Sequence, residues 1–208
     1  MFFFVFFEYP VCPLWLKGPF EHPLFSCLIL RNMIIPNLLL IAGTGTNSGK
    51  TSMVCRMIES FPGLRITAIK ISPHFHEITS GLVLISEDEG YVIYEETNSG
   101  TSKDTSRMLR AGADKVFYAK VWDDKVFIAF KEIMKKVPKG TPVICESPAL
   151  RDFIEPGVFI IMMSDIINKH KDIKHLQALP HVVFKLEELE KPDMLPIDFK
   201  EGKWIQKV

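Results

Sequence analysis

The chain has 208 residues, enough for one α/β domain with a sizeable core, and with 47% hydrophobic and 24% charged residues it reads as an ordinary folded protein. Its 25 Lys plus Arg balance 25 Asp plus Glu, so there is no global positive field to draw in nucleic acid or an anionic membrane, and neither is expected as a partner. The four cysteines, Cys12, Cys27, Cys55 and Cys145, make no C-x-x-C pair, so they imply neither a zinc site nor a disulfide framework and fit a reduced, cytoplasmic setting.

Residues 1–32 are rich in Phe and Pro and show neither helical nor strand period. Their apolar opening, ended by Glu8 and Pro10, is far short of the ~20 residues that cross a bilayer. No basic stretch precedes it, as a secretory signal would require. Residues 1–32 are therefore read as a mis-called extension ahead of Met33, with a membrane-associating tail as the rival reading. Residues 33–192 are expected to form one nucleotide-binding domain, and residues 193–208 an unpatterned C-terminal tail.

Within that domain, the apolar run 37–42 is too short for a helix and predicts a buried parallel strand. Residues 50–61 place Met53, Val54, Met57 and Ile58 at helical spacing, and Pro62 and Gly63 end that helix. A second strand is expected over 65–71. Two short strands, 82–86 and 91–95, flank the acidic turn at Glu87–Gly90 and predict a small β-hairpin insertion. A short helix follows, with Thr101 and Asp104 spaced as a capping box and Gly112 as its stop. Then come a strand over 114–121, an amphipathic helix over 123–137, and strands over 142–146, 158–163 and 181–184. Strands alternating with helices predict a doubly wound, mostly parallel sheet of the P-loop NTPase kind, with ligands at the carboxyl ends of the strands.

The segment Gly43-Thr44-Gly45-Thr46-Asn47-Ser48-Gly49-Lys50-Thr51-Ser52 leaves the first strand and opens the first helix. In that setting glycines let backbone N–H groups approach phosphates, and the helix N-terminus favours negative charge. Lys50 would reach the outer phosphates and the Thr51 hydroxyl would bind Mg²⁺. The usual spacing puts the first glycine where Thr44 stands, with Gly43 one place too early and Gly45 one too late.

The GTGTNSGKT loop resembles that of dethiobiotin synthetases and related amidotransferases, in the class of P-loop proteins that includes signal-recognition and MinD-type NTPases. Residues 68–78 (AIKISPHFHEI) and 102–113 (SKDTSRMLRAGA) resemble the molybdopterin-guanine dinucleotide biosynthesis adaptor, its nucleotide-binding B component. That resemblance implies GTP or ATP as ligand, Mg²⁺ as cofactor, and a partner enzyme of cofactor biosynthesis. It leaves a homodimer open and does not choose between adenine and guanine.

The resemblance also implies roles for residues outside the loop. Lys70, ending the second strand, would stabilise charge on the outermost phosphate, the alternative being a solvated strand-end lysine. Asp104 and Arg107 would face the nucleotide or an anionic partner; alternatively Asp104 caps its own helix and pairs with Arg107. Glu146 ends the apolar strand PVICE, where an acid holds Mg²⁺ directly or through water, although Ser-Pro-Ala follows it where the two families carry glycine. His74 and His76 fall in an expected nucleotide-sensing loop and are read as solvated. The run 168–172 is read as a solvated helix start. The expected function is a slow NTPase acting as adaptor or switch. A dethiobiotin synthetase-like ligase and a nucleotide-binding module without catalysis are the alternatives.

Overall fold

The computed structural model describes residues 33–45, 47–73, 80–163, 172–190 and 195–207. The expectations for residues 1–32, for Thr46, for His74 and His76 and for most of the run 168–172 lie outside them. The chain order is β1 (Met33–Gly43), α1 (Lys50–Ser60), β2 (Thr67–Ser72), β3 (Leu82–Asp88), β4 (Tyr91–Glu96), α2 (Asp104–Arg110) and β5 (Lys115–Val121). It continues with α3 (Val126–Met134), β6 (Val143–Glu146), β7 (Ile154–Met163), α4 (Lys174–Gln177), β8 (Val182–Lys185), β9 (Ile197–Lys200) and β10 (Lys203–Gln206). Short 3₁₀ turns precede α3, join β6 to β7, and follow β8 over Leu186–Glu190.

Eight strands form one sheet in the order β3-β4-β5-β2-β6-β1-β7-β8. The six from β5 to β8 run parallel. The β3–β4 hairpin adds two strands to the β5 edge, with β4 antiparallel to β5, as the acidic turn predicts. The sheet is therefore mostly parallel, and both its faces are covered.

The central strand shows why. Leu38, Leu40 and Ala42 point into one apolar layer with Phe127, Phe130 and Ile133 of α3. Leu39 and Ile41 point into the other with Met53, Val54 and Met57 of α1 and Met108 of α2. Successive strand residues face opposite sides, so a strand buried on both faces needs an unbroken apolar run, and LLLIA supplies it. The two layers leave the carboxyl ends of β1, β2 and β6 at one edge of the domain. Among the described residues no helix is long and apolar enough to cross a membrane.

Two expectations fail. The capping box at α2 does not form: Thr101 Oγ1 accepts from the Lys103 N–H at 3.2 Å, one residue short of the helix, and Asp104 turns towards β2 instead. The end of α2 does follow expectation, since Gly112 adopts φ +105° and the N–H groups of Gly112 and Ala113 close on Leu109 and Met108 carbonyls.

The expected unpatterned tail is the second failure. It forms the antiparallel β9–β10 hairpin, turned by Glu201 and Gly202, both left-handed at φ 52° and 74°, as two-residue hairpins require. Trp204 is 1% exposed, and its indole N–H donates to the Val143 carbonyl at 3.0 Å. Two four-residue strands carry too little alternation to show in sequence, and one buried tryptophan fixes the hairpin to the sheet.

Candidate functional site

β1 ends at Gly43, where a side chain would meet Ser48 Oγ at 2.3 Å. The chain turns through Asn47 and Gly49, both left-handed at φ 61° and 84°, and enters α1 at Lys50. Gly49, the residue before α1, has no side chain to cap it, and the first turn of α1 holds no acid. The orphan N–H groups and the positive end of the helix dipole therefore face outward beside the loop. Lys50 folds back into the loop, its Nζ donating to the Gly45 carbonyl at 2.6 Å and to Ser48 Oγ at 3.2 Å. Ser48, itself buried, donates to the same carbonyl at 3.0 Å.

The Thr44 N–H donates to the Met162 carbonyl at 3.1 Å, which commits that group to the β1–β7 junction. Gly43, Gly45, Asn47, Ser48, Gly49, Lys50, Thr51 and Ser52 all line one cleft of about 560 Å³.

The opposite wall is a charge cluster. Lys70 of β2 and Glu146 of β6 are direct partners in the parallel ladder, so strand register sets them side by side. Lys70 Nζ donates to Glu146 Oε1 at 3.2 Å and to Asp104 Oδ2 of α2. Glu146 Oε2 accepts from Thr51 Oγ1 at 2.7 Å, which joins the cluster to the loop. Arg107, one turn after Asp104, places one guanidinium nitrogen 3.5 Å from Asp104 Oδ1 and donates with the other to Ser52 Oγ at 3.1 Å.

The Lys70 side chain is 15% exposed and that of Glu146 is 7% exposed, so the reading of Lys70 as a solvated strand-end residue does not hold. Burial works against the Lys70 charge, but Glu146 and Asp104 outweigh it and hold its pKa above the ordinary value of 10.5. Burial likewise works against the Asp104 charge, and there Lys70 and Arg107 prevail, holding its pKa below 3.8. Both groups are thus charged throughout the neutral range.

Every described residue of the sequence-derived set except Thr44 lines this cleft, and Lys70, Asp104, Arg107 and Glu146 converge in it as expected. The sequence reading missed Leu186, which lines the cleft against Gly49. Its signal was the rule that ligands bind beyond the carboxyl ends of parallel strands, applied to β8. The described cysteines add no nucleophile, because burial raises the thiol pKa of Cys55 and raises that of Cys145 well above the ordinary value. Among the described residues no group of three or more His, Cys, Asp or Glu side chains could hold a metal ion; a metal here would need oxygens from its ligand. No family model, curated protein or solved structure matches this chain.

Proposed function

We propose that the chain binds a nucleoside triphosphate, GTP or ATP, together with Mg²⁺, and hydrolyses it slowly. The observation that carries this reading is the hydrogen bond from Thr51 to Glu146 across 95 residues of sequence. It joins the first turn of a glycine-loop helix to an acid at the end of a neighbouring strand, the pair of oxygens that P-loop enzymes turn towards magnesium. Thr51 Oγ1 and Glu146 Oε2 would hold the ion.

The phosphates would lie on the loop backbone and the N-terminus of α1. Lys50 would exchange the Gly45 carbonyl for β/γ-phosphate oxygens, and Lys70 would face the outermost phosphate. The magnesium would neutralise charge on the phosphate oxygens. Slow turnover fits the acids among the described cleft residues: Asp104 and Glu146 would both face the metal, which would leave neither placed to orient water. The resemblance of 68–78 and 102–113 to the molybdopterin-guanine dinucleotide adaptor supports a switch acting on a cofactor-biosynthesis enzyme.

Calorimetric titration of ATP and GTP with and without Mg²⁺ tests the reading. Thr51→Ala and Glu146→Gln should weaken binding in Mg²⁺ while leaving metal-free binding nearly intact. Should Glu146→Gln match the parent at every Mg²⁺ concentration, Glu146 has no metal role and only the phosphate loop survives.

A further inference from the structure

Three oxygen-bearing side chains meet at one point of the cleft, and an ammonium group sits among them. Thr51 Oγ1 donates to Glu146 Oε2 at 2.7 Å, and all three side chains line the cleft. Lys70 Nζ bonds the other Glu146 oxygen at 3.2 Å and also Asp104. The Lys70 side chain is 15% exposed, so this is a seated cation with its partners around it. A divalent cation binding these oxygens would have to stand where the ammonium now stands, or within a few ångströms of it. Two such charges at that separation in a partly buried site repel strongly.

Lys70 can leave only if another anion receives it. Among the described residues lining the cleft, Asp104 and Glu146 are the only carboxylates, so without a ligand no described acid there would take the ammonium. A triphosphate on the loop changes this, because its outer oxygens offer Lys70 a partner in the same cleft.

Building on the nucleotide reading above, we propose that Lys70 is an internal counter-ion that closes the Asp104–Glu146 pair to divalent cations until phosphates arrive to accept its ammonium. Metal and nucleotide then bind cooperatively, and by linkage each raises the affinity of the other by the same factor. Asp104 becomes a third oxygen facing the cation once Lys70 has moved. Lys70 acts here as a positioning residue, apart from any contact it makes with the transferring phosphate.

The test uses the full chain and Mn²⁺ as probe, with bound metal read from the loss of the free Mn²⁺ resonance and no turnover required. The parent should bind Mn²⁺ weakly alone and about 5- to 150-fold more tightly in saturating ATP or GTP. Lys70→Met should bind Mn²⁺ alone at least about tenfold more tightly than the parent, with the coupling to nucleotide falling towards one. Lys70→Arg keeps a cation between the carboxylates and should keep the weak metal-alone binding. If Lys70→Met is too unstable to purify, Lys70→Gln makes the same comparison. Metal-alone affinity unchanged by loss of the charge overturns the proposal. A parent that binds neither ATP nor GTP overturns the nucleotide reading and the coupling with it, while the metal-alone comparison still decides whether Lys70 guards the carboxylates.

Discussion

The glycine loop and the charge cluster face each other across one cleft, yet they are held by different means. In the loop the hydrogen bonds of Lys50 and Ser48 are short-range: Lys50 reaches back five residues to Gly45 and two to Ser48, Ser48 reaches three to Gly45, and two left-handed residues, Asn47 and Gly49, shape the turn. In the cluster the contacts of Lys70 and Glu146 are long-range, joining residues 34, 76 and 95 positions apart. The loop could keep its shape while its neighbours shift slightly. The cluster exists only if β2, β6, α1 and α2 are all in place, which makes it a part of the fold's stability as well as of the site.

This difference predicts opposite profiles for the two lysines. Lys70→Ala should leave Asp104 and Glu146 without their shared cation, at a cost in folding stability of ~2–3 kcal/mol in chemical denaturation. That is less than for a wholly buried pair, because Asp104 is 40% exposed. Lys50→Ala should leave the denaturation midpoint almost unmoved but remove a charge-assisted contact of about 1.5–3 kcal/mol from nucleotide binding, roughly tenfold to a hundredfold in affinity. Equal stability losses for the two variants would erase the distinction between loop and cluster.

Gly49→Ala sharpens the loop side of the comparison. At φ +84° an alanine is strained by about 1–2 kcal/mol. Its methyl would also stand 2.8 Å from Leu186 Cδ1, the far end of a side chain that can turn aside. Thermal melting should show a modest loss, and nucleotide affinity should fall with it because the strained turn presents the loop N–H groups. A variant that melts and binds like the parent would mean that this turn is not held in the left-handed region.

The smallest expected effect is on pH. The Asp104 pKa is lowered, so its contribution to stability is present above pH 3.8 and is lost as pH falls through the folded value beneath that. The Lys70 pKa is raised, so its contribution is complete below pH 10.5 and is lost as pH rises beyond the folded value above it. Between these limits the pair contributes a constant amount. The melting-temperature gap between the parent and Asp104→Asn should therefore stay level from about pH 5 to pH 9 and narrow below pH 3.8. A gap that changes between pH 5 and pH 9 would assign the ion pair to other partners.

Much of this molecule was legible in its sequence because the signals were local. The run LLLIA announces a strand buried on both faces, Met53, Val54, Met57 and Ile58 announce the apolar side of α1, and Glu87–Gly90 announces a hairpin turn. The glycine loop was legible for the same reason, since its chemistry lies within ten consecutive residues. The partner of the Thr44 N–H was not legible, because it lies in β7, 118 residues away. Residues 193–208 were misjudged because two four-residue strands have almost no period, and their tie to the sheet, through buried Ile197 and Trp204, is tertiary.

The sequence by itself determined the alternation of strands and helices, the glycine turn, and the presence of a lysine and a glutamate at two strand ends. Those features depend on dihedral preference and on hydrophobic spacing, both properties of neighbouring residues. Only the tertiary structure decided that Lys70 stands opposite Glu146, because that follows from the register of β2 against β6. It also decided that Asp104 leaves the capping role its spacing suggested. A buried ammonium needs counter-charges more than a helix end needs one more acceptor, and the packing of α2 against α1 and β5 brings Asp104 within reach of Lys70.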